Sequence, residues 1–122
     1  AVSYPTCGNA ACLQVEDGSF WFRHRNRCIV KVVEQFRPSG PLLDVGGGNG
    51  YVARGLQQAG VDCVLVEPGV EGALAAHARG VANVICARLE DAGLPTGSFA
   101  AAGLFDVLEH LDDEGEALGT IR

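Results

Sequence analysis

The residues best equipped for chemistry sit in three places. Residues 42–56 read LLDVGGGNGYVARGL, with Asp44 two positions ahead of the alternating glycines Gly46, Gly48 and Gly50. Glu67 closes the next apolar run, VDCVLVE. Farther on, FDVLEHLDD brings Asp106, Glu109 and His110 close together. A glycine-rich stretch lets a ligand approach main chain that carries no side chains. Where a helix begins there, its first N–H groups are unpaired and face the ligand. An acid at the end of the following strand can accept hydrogen bonds from both hydroxyls of a ribose, whether of a dinucleotide or of a simple adenosine. Gly48-x-Gly50-x-x-Ala53 also meets a loose dinucleotide fingerprint. On the glycines alone, a tight structural turn with a solvated Glu67 explains the pattern as well. Asp106, Glu109 and His110 supply two carboxylates and an imidazole, a set that suits a divalent cation. His110 by itself suits a general base. The plainer alternative is a helix start with acids at its positive end.

These groups need a scaffold, and the pattern from residue 41 onward predicts one. PLLDVG reads as a short buried strand, 50–60 as a helix closed by Gly60, and 61–67 as a second buried strand. Residues 69–80 read as an alanine-rich helix closed by Gly80, and 82–87 as a third strand. The stretch 88–98 is a loop rich in turn residues. FAAAGLF, 99–105, predicts a fourth strand, although its alanines also permit a helix. A further helix is expected from about Leu111. Strands alternating with helices predict an α/β fold, Rossmann-like and doubly wound, with a mainly parallel sheet covered by helices on both faces. Such strands are apolar throughout because neither face meets water. Upstream, Ser19 is placed to cap a helix over about 20–36. Its Phe22, Ile29, Val33 and Phe36 fall near one face, and Arg23, Arg27 and Lys31 line another. Pro38 and Pro41 end it. Residues 1–19, with Pro5, Gly8 and Gly18 as breakers, read as an irregular cysteine-containing segment. Residues 20–122 read as the folded domain.

Bulk properties narrow the class. A chain of 122 residues suits one domain, and 48% hydrophobic with 20% charged residues favours a packed core over disorder. The formal net charge of −6 is unsuited to a phosphate backbone, so no nucleic-acid partner is expected and FWFRHRNR is not read as a basic patch. No apolar stretch approaches the ~18 residues of a membrane span, so no membrane partner is expected either. Five cysteines form no even framework, which points to a reducing, cytoplasmic setting. Cys63 and Cys86 lie in apolar runs and read as small core residues. YPTCG, with Cys7, resembles half of a zinc knuckle. A structural zinc wants four ligands, and beyond Cys7 and Cys12 only Cys28 or His24 is a candidate nearby, so ordinary thiols without zinc are the simpler reading.

Taken together, LLDVGGGNG, VLVEPG, RLEDAGLPTGSF and FDVLEHL resemble a class I S-adenosylmethionine-dependent methyltransferase. The likeness is greatest to the small-molecule branch that includes ubiquinone-type enzymes, and FWFRHRNR is similar to the lead-in helix of that branch. It covers residues 20–122 in the family's order. The resemblance implies S-adenosyl-L-methionine as cofactor and a small molecule as methyl acceptor. It places Asp44 and the Gly46–Gly50 turn, including Gly48, at the methionine part of the cofactor. Glu67 would take the ribose hydroxyls, and the backbone at Leu89 with Glu90 would meet the adenine. Phe105 and Asp106 would line the path to the reactive methyl. His110 would be the base, Arg23 or Arg27 would face the cofactor carboxylate, and Trp21 would help close the site. The cation-binding role of Asp106, Glu109 and His110 is also one that ubiquinone-type relatives suggest.

Two features depart from the pattern. Ala100 stands where relatives carry aspartate, and the family continues into further strands beyond the equivalent of Arg122. The expectation is a fragment carrying the cofactor half, with its fourth strand as an exposed edge on which two copies could pair. The other readings are a nicotinamide-dependent oxidoreductase and a module that binds the cofactor, or a partner chain, without transferring anything. Asp44 and FDVLEHL, which a nicotinamide fold does not need, weigh against the first.

Overall fold

The computed structural model describes residues 8–122. Residues 4–7 of the YPTCG motif, Cys7 among them, lie outside the described residues. The elements run α1 (Gly8–Val15), α2 (Phe20–Phe36), β1 (Leu42–Val45), α3 (Tyr51–Gln58), β2 (Cys63–Val66), α4 (Val70–Ala78), β3 (Asn83–Ile85), β4 (Ala101–Gly103) and α5 (Glu114–Ile121). Single 3-10 turns occupy Leu89–Asp91 and Leu108–His110. The four strands form one parallel sheet in the order β3-β2-β1-β4. This is the α/β, Rossmann-like arrangement expected. Strand order reverses between β1 and β4, and that reversal opens a crevice at the carboxyl ends of the strands.

The sheet has a core on each face. Leu42, Cys63 and Leu65 point to one side, where Val33 of α2, Val52, Ala53 and Leu56 of α3, and Ala76 of α4 cover them. Leu43, Val45 and Val66 point to the other, against Leu89, Leu94, Phe99 and Ile121. Helix α3 lies close because its inward positions 52, 53 and 56 recur at helical spacing. Helix α4 buries only Gly72, Ala73 and Ala76, and those small side chains let its backbone approach.

Helix α2 starts at Ser19, whose hydroxyl accepts from the Phe22 N–H at 3.5 Å. Arg37 closes it in a left-handed conformation, φ 43°, and its N–H returns to the Val33 carbonyl.

Several expectations need correction. Residues 8–15 are helical rather than irregular. Phe36 is 81% exposed, because its position near the end of α2 carries it past the sheet. Cys86 is exposed, since it follows the last residue of β3 and is not inside the strand. Strand β4 is only three residues long, limited to the stretch that pairs with Leu42–Asp44. The helix expected from Leu111 begins at Glu114, where the Asp113 carboxylate caps it by accepting from the Glu116 N–H at 2.8 Å.

Candidate functional site

Strand β1 carries the most unusual side chain of the core. Asp44 sits in the middle of the sheet, between Leu65 of β2 and Gly103 of β4, and is 1% exposed. Its Oδ2 has no hydrogen-bond partner among the described residues. Burial, reinforced by the nearby Glu67 charge and opposed by Arg25, pushes its pKa from 3.8 up to about 7. A carboxylate in this position is costly unless something supplies a donor.

The chain then turns through glycines that serve in different ways. Gly46 and Gly48 have φ of 68° and 54°, a region most side chains avoid. A Cβ at Gly47 would stand 2.7 Å from the Asp44 Oδ2 and from the Leu65 Cδ1. Gly50, also at positive φ, faces away from the crevice. A Cβ there would meet the Val81 Cγ2 at 2.7 Å and the Ala76 Cβ at 2.8 Å, so its role is to let α3 pack on α4.

Glu67, at the end of β2, is 7% exposed and already holds main chain. Its Oε2 accepts from the Gly48 N–H at 2.9 Å and its Oε1 from the Gly69 N–H at 2.7 Å. Charge-assisted bonds of this kind are about twice as strong as neutral ones. One carboxylate therefore ties together the two turns that follow β1 and β2.

A crevice of about 830 Å³ runs across the carboxyl ends of the strands. Leu89 and Glu90 line it after β3, Glu67 after β2, Asp44, Gly46 and Gly48 from β1 and its turn, and Phe105, Asp106 and His110 after β4. The structure thus gathers, of the residues expected to hold the cofactor or to act as base, all but Gly50. Glu109 does not line the crevice, and among the described residues no three His, Cys, Asp or Glu side chains are grouped to hold a metal.

Helix α2 contributes a wall that sequence reasoning placed one step off. Arg25 reaches the crevice, while Arg23 and Arg27 do not. Its Nη2 lies 2.5 Å from the Asp106 Oδ2, and its guanidinium sits 5.9 Å from the Trp21 ring centroid. Asp106 holds a φ of 58°, an unusual backbone state for a residue other than glycine and one that clusters at functional sites. The available signal was helical phase: Phe22, Arg25 and Ile29 are spaced three and four apart, so Arg25 shares the inward face. Cys63, by contrast, is a core residue as expected, and burial pushes its thiol up to about 12.

A family of methyltransferase domains matches residues 19–122. No curated protein matches the chain. The matched span holds the whole sheet, the glycine turn and the acids at the strand ends, and it leaves out α1. On that match and this architecture, the chain belongs to the methyltransferase domain family.

Proposed function

We propose that this domain binds S-adenosyl-L-methionine in the crevice and transfers its methyl group to a small-molecule acceptor. The observation that carries the reading is Asp44: a buried carboxylate with an orphan oxygen, set beside a glycine turn. Asp44 would hold the α-ammonium group of the cofactor, directly or through water, and Glu67 would accept from its ribose hydroxyls. Each Glu67 oxygen has a lone pair left after its bond to main chain. Leu89 and Glu90 fit the adenine side. When bound, the cofactor supplies a methyl group on a positively charged sulfur, already activated for displacement.

The remaining work falls to the protein. Trp21, Phe22 and Phe105 line the crevice with apolar surface that suits a small, partly apolar acceptor. Alignment of the two reactants contributes most, a factor that can reach ~7 kcal/mol or more. His110 takes the proton where the acceptor is a hydroxyl. Pairing of two copies along β4, an edge of the sheet, and a cytoplasmic setting belong to the same reading.

Calorimetry with S-adenosylhomocysteine and NAD tests it. Binding of the first and not the second is expected. Binding of NAD alone would replace the reading with a nicotinamide enzyme. Tight binding without methyl transfer to any of a panel of small hydroxyl and carbon acids would reduce the domain to a binding module.

A further inference from the structure

Helix α1 lies outside the matched family span, yet it forms part of the crevice. Asn9 and Cys12 of α1 and Glu16, one residue past its end, are spaced three and four apart and line it together. The Asn9 side chain fills the space left by three glycines. A Cβ at Gly72 would stand 2.6 Å from its Nδ2, one at Gly69 would lie 3.4 Å from the same atom, and one at Gly48 would lie 3.4 Å from its Oδ1. So α1 rests on the same glycine turn that forms the floor of the site.

What holds α1 there is polar. Asn49, itself in the glycine turn, donates from Nδ2 to the Asn9 carbonyl at 2.7 Å and to the Glu16 Oε1 at 3.5 Å. The Glu16 Oε2 lies 2.9 Å from the Arg79 Nη2, with both side chains nearly buried, and Arg79 also covers the Tyr51 ring at 5.0 Å. No residue of α1 is itself buried, and Leu13 and Val15 are 42% and 50% exposed. The seat is also imperfect. Of the six buried polar atoms without a hydrogen-bond partner among the described residues, four belong to it: Glu16 Oε2, Asn49 Oδ1 and both terminal nitrogens of Arg79. The ion pair is close in distance but misaligned as a hydrogen bond. An eight-residue helix is marginal by itself, and one held by a half-satisfied polar network with little apolar burial belongs to the low-stability end of a fold.

We propose that α1 is a latch over the glycine-turn end of the crevice, and that it must leave its seat for the ligand to enter or depart. The inference rests on the cofactor reading above. A latch of this kind limits association as well as dissociation, whereas a residue that only touches the ligand alters dissociation.

The test is stopped-flow binding of S-adenosylhomocysteine to the full chain, with hydrogen exchange on the same protein without ligand. The variant Ala11→Gly/Gln14→Gly changes two exposed positions of α1 that do not line the crevice and weakens only the helix. Association and dissociation are both expected to quicken about tenfold, at nearly constant affinity. Glu16→Gln, which loosens the seat itself, is expected to shift both rates in the same direction. In the wild-type protein, the amides of α1 are expected to exchange far faster than those of β1. Association that is unchanged in both variants overturns the latch, as does α1 protection equal to that of β1. Failure of the cofactor reading has a different signature, no binding of S-adenosylhomocysteine to the wild type, and the exchange measurement then decides the latch alone.

Discussion

Replacing Asp44 with asparagine is expected to stabilise the protein while disabling it. The folded protein holds the Asp44 carboxyl at about 7 against an ordinary 3.8, because burial and the Glu67 charge outweigh the help of Arg25. Each pKa unit corresponds to about 1.4 kcal/mol, so keeping the ionised form in the core costs the fold about 4 kcal/mol. Below about pH 4 the group is protonated in folded and unfolded chains alike, and the cost is absent. As pH rises from about 4 to 7 the unfolded chain releases this proton first, so the wild type loses stability across that window and levels off above it. The amide of an asparagine never ionises. Asp44→Asn should therefore exceed the wild type by up to about 4 kcal/mol at pH 8 and by less than about 1 kcal/mol at pH 4. Urea denaturation at the two pH values measures the difference. The same variant should bind S-adenosylhomocysteine at least about tenfold more weakly at pH 8, since a charge-assisted bond is lost. A variant no more stable than the wild type at pH 8, or one whose advantage is the same at both pH values, would refute the reasoning.

Three further outcomes are expected. Gly50→Ala drives a Cβ into Val81 and Ala76 at positive φ, and should lower stability by about 3 kcal/mol and Tm by roughly 10 °C, read by calorimetry. Glu67→Ala frees the Gly48 and Gly69 N–H groups as well as the sugar side of the site. It should weaken S-adenosylhomocysteine about 100-fold, while circular dichroism shows an intact sheet. His110→Ala should cut kcat about 100-fold for a hydroxyl acceptor and leave the affinity for S-adenosylhomocysteine unchanged, measured by steady-state kinetics and calorimetry.

Much of this was legible in the sequence where local signals agree. The apolar runs of β1 and β2 and the glycines closing α3 and α4 point to the same elements as the hydrophobic pattern, and Asp44 stands out because it interrupts a buried strand. Helix α1 was not legible. GNAACLQV has no strong apolar period, and the helix depends on Asn49 and Arg79, which are remote in the chain. Strand β4 was ambiguous for a related reason: alanine and glycine favour no strand by themselves, and register against β1 decides it. Arg23, Arg25 and Arg27 carry the same charge, and only helical phase with Phe22 and Ile29 sets Arg25 apart. Gly50 shows that a motif position can belong to packing rather than to the ligand.

The bonds from Glu67 to Gly48 and Gly69 are made by the protein to itself and do not depend on a guest. The floor of the site is thus assembled during folding, and little ordering is left for the encounter. The heat capacity change of binding should then match the surface the small molecule itself covers, with no added signature of coiling chain, apart from whatever α1 contributes as it reseats. A guest of the wrong outline gains nothing from a floor that will not reshape around it, so rigidity here would act as a filter on size.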